Sequence, residues 1–470
     1  MKKICALVLA LCCILSCTTV CVQATDTELD IDQTIANGCK TLDAGQTFLG
    51  DTKITDNATS IILYETQSQT LMYAFNPDAT DDPASLVKIM TGYIVAEKGT
   101  MTDAVTVTEE PLSTIPTSAA RSGLKPGEVL TVEQLMHCML VSSANDAAAV
   151  LAHYIAGSQE AFVEMMNNYA AELGCTTTNF VNVHGLYDSM QYSTARDLAK
   201  IMDAALKNED FRRIFCTTHF TVPATNLSDV RYLSTANYLM SYDEVKVYYD
   251  QRVIGGRTGI TEWGYRNLAT LAQSGNMELI CILLGAASEL DDRGVSIKVF
   301  GGYDETSTLL SKGFKGHQLT MVTREDQVLA QLDVENGDCD VVLGPVSAVY
   351  AVLPDTLKLS DLTFEYAEEV ALKAPIKKGD IVAFVDIWHE GICVAQTELY
   401  AMNSVDVVEQ SAADADASDK EGGSSALWVT LAVIGGFVLL ILILHGISNA
   451  FKRRYYNRGR QYRRGRRRSR

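Results

Sequence analysis

Hydrophobic spacing along the chain changes period several times, and each change marks an element. Two short β-rich runs, SIILYE at Ser60–Glu65 and TLMYAF at Thr70–Phe75, are separated by TQSQ and predict a hairpin. Pro83 then opens the helical run ASLVKIMTGYIVAEKG, which Gly99 ends; proline suits a first helical turn and glycine a helix exit. Thr131 starts a second helix, TVEQLMHCMLV, and the turn Ser142-Ser143-Ala144-Asn145 leads into a third, DAAAVLAHYIAG. Further helices are predicted over Glu160–Leu173 and Ser193–Lys207. The pattern then turns to strands at Arg252–Thr258, Asn267–Gln273 and Glu278–Gly285, with Ser274-Gly275-Asn276 as one turn. A hairpin, a block of helices and a three-strand meander predict an α/β (α+β) sandwich in which helices pack on an antiparallel sheet, closing near Phe314.

From about Gly316 to Ala401 short alternating runs take over: QLTMVT, QVLAQLDV, AVYAVL, LTFEYA, DIVAFVDIW and ICVAQTELYA. They predict a small all-β domain, with Lys377-Lys378-Gly379-Asp380 as a hairpin turn. No catalytic cluster is visible in it.

The two ends read differently. Lys2 and Lys3 precede an apolar run, Ile4–Val22, and Val22-Gln23-Ala24 suits a secretory signal peptide cut after Ala24. An uncleaved anchor is one alternative. Lipoprotein processing at Cys17 is another, which Leu15 fits poorly. Near the C-terminus, Ala426–Ile447 is apolar apart from Thr430 and His445, long enough as a helix to cross a bilayer core of roughly 30 Å. The expected organisation is a signal peptide (1–24), a catalytic domain (25–314), a β domain (315–405), an acidic Ser/Ala/Gly linker (406–425), a transmembrane helix (426–447) and a basic tail (448–470). Lys452 and ten arginines in that tail predict a cytoplasmic end, with the body outside the membrane.

Charge sharpens this picture. The chain has 470 residues and a net charge of −19. The tail's +11 and the leader's +2 leave −32 on residues 25–451, which disfavours a nucleic-acid-binding body. Five of the twelve cysteines lie in the leader, and the other seven contain no C-x-x-C pair. Neither a zinc ribbon nor a dense disulfide framework is indicated. Cys138 and Cys281, inside apolar runs, are expected to pack as small hydrophobes.

Three short strings carry chemistry. Ser85-Leu86-Val87-Lys88 opens a helix, and i,i+3 spacing puts the amine one turn from the hydroxyl. A serine needs a nearby base to become a nucleophile, and a desolvated lysine can serve. The helix N-terminus adds free N–H groups for developing negative charge. Ser143-Ala144-Asn145 lies in a turn between helices, where a hydroxyl can relay a proton and an amide can hold a carbonyl; an ordinary helix cap there is the plainer reading. Arg257-Thr258-Gly259 ends a strand after Gly255-Gly256, where glycine would let a ligand lie against the backbone and a cation could hold a carboxylate. Each string alone is weak.

Together and in this order they resemble the S-x-x-K, S-x-N and K-T-G triplet of the penicillin-recognising serine enzymes. The surrounding text agrees: PASLVKIMTGY, VSSANDAAAVLA, NFVNVHGLYD with QYSTARDLAKIM, and GGRTGITEWGYRNLATLA. The chain thus resembles the low-molecular-mass penicillin-binding proteins of the 5/6 type, serine-type D-alanyl-D-alanine carboxypeptidases. The likeness covers Ser60 to Phe314 well, and the β domain to about Ala401 with weaker motifs. It departs from the family at Arg257, where lysine is usual, at Ala144, where glycine is common, and at Ile260, where some relatives have histidine.

The resemblance implies a β-lactamase/transpeptidase-like catalytic domain whose substrates are peptidoglycan stem peptides ending in D-Ala-D-Ala. Ser85 would be the acylated nucleophile, Lys88 its proton acceptor and Ser143 a proton relay. Asn145, Arg257, Thr258 and Gly259 would bind substrate, and the backbone N–H groups of Ser85 and Ile260 would form the oxyanion hole. β-Lactams would acylate Ser85 and leave slowly. No metal or organic cofactor is implied, and His184 reads as structural. The rivals are a class A β-lactamase, a cross-linking transpeptidase, a non-catalytic penicillin-binding sensor and an inactive wall-binding module.

Overall fold

The structure is a computed structural model that describes residue 49 and residues 57–243, 245–290, 297–366 and 372–408. The predicted signal peptide, Cys39, the linker's larger part, the apolar run at 426–447 and the basic tail lie outside the described residues. Among the described residues no helix is long and apolar enough to cross a membrane.

The expected hairpin forms, with β1 (Ser60–Glu65) paired antiparallel to β2 (Thr70–Phe75). The helix after Pro83 begins as one 3₁₀ turn, Ala84–Leu86, and continues as α1 (Val87–Lys98), with Gly99 beyond its end. α1 is buried at almost every position from Val87 to Val95, so it is a core helix with no polar stripe. A ribbon of β3 (Ala104–Thr106) and β4 (Val129–Thr131) encloses α2 (Glu109–Ser113). Thr131 and Gln134 form a reciprocal capping box at the start of α3 (Val132–Leu140). α4 (Asn145–Ala156) ends at Gly157, whose φ is 78°, a left-handed exit that glycine adopts without strain. Side-chain caps open α5 (Gln159–Glu172, from Ser158), α6 (Ala195–Leu206, from Thr194) and α7 (Glu209–Phe215, from Asn208). The ribbon of β5 (His219–Val222) and β6 (Arg231–Ser234) follows.

The meander is β7 (Val253–Ile260), β8 (Arg266–Ser274) and β9 (Met277–Ala286). β9 turns back to pair with β1, giving an antiparallel five-stranded sheet in the order β2-β1-β9-β8-β7. Alternation along these strands builds two cores. Ile62, Tyr64, Leu71, Leu271, Ile280 and Ile282 face the helical block, whereas Ile61, Leu63, Met72, Leu268, Leu279 and Cys281 face the opposite side. A small ribbon, β10 (Glu289–Leu290) with β11 (Ile297–Val299), precedes α8 (Tyr303–Phe314), which covers that second face. The sandwich therefore has helices on both sides of the sheet, and α8 is an element the hydrophobic pattern did not reveal.

Beyond α8 the chain is all β. β12 (His317–Thr323) pairs with β15 (Val349–Pro354), and β13 (Ala330–Leu332), β14 (Val341–Pro345), β16 (Thr363–Tyr366), β17 (Ile381–His389) and β18 (Ile392–Ala401) form a second sheet, ordered β13-β14-β18-β17-β16. Leu319 and Val352 join the α8-side core, so the two domains share apolar packing. Lys377–Asp380 is a turn, with Asp380 N donating to the Lys377 carbonyl at 3.0 Å. It does not close a hairpin: Ile376 before it bridges to Val405, and β17 after it pairs with β16 and β18.

Candidate active site

Ser85 lies in the 3₁₀ turn between Pro83 and α1, at the edge of the sheet that β7 forms. The turn is held from several directions. Asp82 accepts the Ala84 N–H at 2.9 Å. Buried Asn267 on β8 donates to the Asp82 carbonyl at 2.8 Å and accepts from Gly285 N at 2.9 Å, tying the turn to two strands. Ala84 is forced to φ 47°, a left-handed conformation costly for a residue with a Cβ. Two glycines let neighbouring segments close on it. A Cβ on Gly185, whose own φ is 78°, would sit 1.9 Å from the Ala84 carbonyl oxygen, and one on Gly259 would meet Ser85 N at 3.2 Å.

Lys88 is fully buried, with Nζ 3.1 Å from Ser85 Oγ. Nζ also donates to Asn145 Oδ1 at 2.7 Å and to the His184 backbone carbonyl. As a neutral amine, Lys88 can keep both of those donations and still point its lone pair at the Ser85 proton. Burial holds its pKa well below the usual lysine value; the Arg257 charge pushes it further down and Asp146 partly opposes.

The second string folds into the same place. Ser143, at φ 64°, points its hydroxyl to Ser85 Oγ at 3.2 Å. Asn145 is turned to Lys88, and the N-cap position of α4 falls to Ala144, which has no side-chain capping bond. The capping role expected of Ser143 or Asn145 is therefore not filled. Buried Asp146 anchors the turn instead, accepting from Ser122 N at 2.9 Å and Leu124 N at 3.1 Å.

On β7 the alternation turns Arg257 and Gly259 toward the Ser85 turn. Thr258 between them is half-buried and Ile260 is exposed. The Arg257 guanidinium does not stand free in a cleft: it is 3% exposed and donates to the carbonyls of Leu140 and, at 3.3 Å, Ser85. Its Nη2 is buried without a partner. Burial lowers its pKa to about 9, which still leaves it charged at neutral pH. The preceding glycines serve packing, where sequence suggested ligand approach. A Cβ on Gly255 would meet Cys216 Sγ at 2.9 Å, and one on Gly256 would meet Asn237 Nδ2 at 2.3 Å.

His184 meets the site through its backbone carbonyl, while its ring is buried beside the turn. Burial, with the Lys88 charge, drives the imidazole pKa down to about 3, and Nδ1 accepts from Leu186 N at 3.2 Å. Its carbonyl, one of the Lys88 acceptors, has no sequence signature. Asp146, Gly185 and Asn267 are likewise positioning groups that the motifs alone did not single out. Cys138 and Cys281 are buried, and burial raises their thiol pKa values to about 11 and about 12, so they are inert packing groups. Among the described residues no cluster of His, Cys, Asp or Glu could hold a metal ion.

The chain as a whole has known relatives. The family model for D-alanyl-D-alanine carboxypeptidase matches residues 49–288, and that for the penicillin-binding protein 5 C-terminal domain matches residues 318–407. The chain is 33% identical over 362 residues to D-alanyl-D-alanine carboxypeptidase DacC of Escherichia coli, covering 74% of this chain and 84% of that protein. It is 27% identical over 358 residues to D-alanyl-D-alanine carboxypeptidase DacF of Bacillus subtilis, covering 74% and 86%. The fold superposes on penicillin-binding protein 5 of Haemophilus influenzae with a TM-score of 0.64 and 28% identity, over 76% of this chain and all of that one. The chain belongs to the D-alanyl-D-alanine carboxypeptidase family, of the penicillin-binding protein 5/6 type, with that family's transpeptidase-like fold and C-terminal all-β domain.

Proposed function

We propose that Ser85 is the acylated nucleophile of this serine-type D-alanyl-D-alanine carboxypeptidase, and that the other motif residues act around it as follows. Neutral Lys88 takes the Ser85 proton as Oγ attacks the carbonyl between the two D-alanines of a peptidoglycan stem peptide. The N–H groups of Ser85 and Ile260 face the oxyanion. Ser143 passes a proton to the departing D-alanine nitrogen, the C–N bond breaks, and an acyl-serine ester remains. Water then attacks the ester and the proton returns through Lys88. Asn145 orients Lys88 and the substrate amide, while Arg257, Thr258 and Gly259 flank the terminal carboxylate. β-Lactams enter the same path and stall at the ester.

One observation carries this reading: the buried amine of Lys88 lies 3.1 Å from Ser85 Oγ with its other two contacts both acceptors. Labelled penicillin should mark the wild-type chain and release of D-alanine from a D-Ala-D-Ala peptide should accompany it. Ser85→Ala should lose both while its melting temperature holds; persistent labelling of that variant would sink the assignment.

The catalytic body is proposed to work outside the cytoplasmic membrane, exported by residues 1–24, held by a helix at 426–447 and followed by a cytoplasmic basic tail. The flanking charges support that orientation.

A further inference from the structure

The two segments that press on the Ser85 turn meet again beyond it. Tyr187 stands two residues after Gly185, and Trp263 four residues after Gly259. Their rings pack edge to face with centroids 5.0 Å apart and planes at 81°. Yet both remain wet, Trp263 at 63% exposure and Tyr187 at 45%, and exposed Ile260 lies on the same strand end. Carried on the two segments that close on the Ser85 turn, this exposed apolar pair offers a surface that a ligand seated at Ser85 can cover.

Both rings are carried on closed turns. Thr261 N donates to the Tyr265 carbonyl at 2.9 Å, Gly264 N to the Thr261 carbonyl at 3.0 Å, and Tyr265 N to Thr261 Oγ1 at 3.2 Å. On the other side Asn182 accepts from Gly185 N at 2.7 Å and donates to the Leu186 carbonyl at 2.9 Å. Little backbone freedom is left to lose when a ligand arrives.

The run of β7 says which half of the ligand meets the rings. On the carboxypeptidase reading, on which this inference rests, the departing D-alanine lies toward Arg257 and the oxyanion toward Ile260. Continuing in the same direction leads to Thr261 and Trp263, on the acyl side of the reacting carbonyl. We propose that Tyr187 and Trp263 form an aromatic wall that selects the acyl-side group. That group would lay an extended aliphatic stem or a flat apolar surface on the rings, and it would be carried by the side chain of the residue ahead of the two D-alanines or by the amide substituent of a β-lactam.

The full-length protein in detergent can be tested with two penicillins, one bearing a phenylacetamido side chain and one bearing only the free 6-amino group. Trp263→Ala and Tyr187→Ala should each slow acylation by the phenylacetamido compound about tenfold, and by the 6-amino compound by less than about twofold. Trp263→Phe should keep most of the preference. Equal losses on both compounds would mean that the rings brace the Ser85 turn, and unchanged rates would mean that they touch no ligand; either result overturns the wall. A wild type that neither compound labels would overturn the carboxypeptidase reading itself, whereas a labelled wild type whose preference survives in both variants overturns the wall alone.

Discussion

Asn145 Oδ1 lies 2.7 Å from Lys88 Nζ, so the last residue of the S-x-N string is a partner of that amine before any substrate arrives. A neutral acceptor there orients the amine and favours its charged form far less than a carboxylate would. Asn145→Asp would place an anion at that spot and raise the Lys88 pKa. At neutral pH the variant should acylate about 10- to 1000-fold more slowly and recover as pH rises. The pH dependence of penicillin acylation checks this; a variant with the wild-type profile would show that Lys88 does not act as the base.

Arg257 carries two readings that one pair of measurements separates. Its charge lowers the Lys88 pKa, so removing it must raise that pKa and move the acidic limb of acylation to higher pH. Arg257→Ala should show that shift, and Arg257→Lys should largely restore the wild-type limb. If Nη2 also grips the substrate's chain end, Arg257→Ala should cost about 2–5 kcal/mol on a D-Ala-D-Ala peptide with a free carboxylate and far less on its amidated form. Equal losses on both peptides, together with the moved limb, would assign Arg257 to tuning Lys88 alone.

Asn267 is the sheet's handle on the turn that carries Ser85. Asn267→Ala would leave the Asp82 carbonyl and the Gly285 N–H without their buried partner, at about 1–3 kcal/mol each. Thermal unfolding should report the loss, and penicillin acylation at a temperature where the variant is still folded should fall as well. A stable variant with unimpaired acylation would show that the turn before Ser85 holds itself.

Topology is tested at the tail. In a chain whose native cysteines, exposed Cys339 among them, are replaced by serine, a cysteine introduced at Gly465 should be shielded from a membrane-impermeant thiol reagent in intact cells and react after lysis. Truncation after Lys420 should release an active body into the medium. Labelling of the Gly465→Cys chain without lysis would reverse the orientation.

Much of the catalytic domain was legible because its elements are locally punctuated. Pro83 and Gly99 bracket one helix, Thr131 caps another, and Ser274-Gly275-Asn276 turns two strands. What the sequence hid depends on distant partners. β1 pairs with β9 across more than two hundred residues, a choice no local period encodes. α8 carries few apolar positions and was missed, although Tyr303 and Leu310 are buried against the sheet. In the site, the residue types and their order were readable. The burial of Arg257 and the service of His184 through a carbonyl were not, because a backbone atom is the same in every residue and burial is decided by neighbours far along the chain.

The backbone at Ala84 and Ser143 has a further consequence. Both are held in the left-handed region, at φ 47° and 64°, one beside Ser85 and the other contacting it. Each such residue costs on the order of 1–3 kcal/mol that glycine would not. Selection for heat resistance alone would therefore favour glycine at position 84, where no side-chain chemistry is at stake, and would meet opposition there only from turnover. That makes the pair a built-in point of conflict between durability and speed. Homologues or laboratory lineages driven toward higher working temperature should reveal, by what they do at this turn, how much rate the strain sustains.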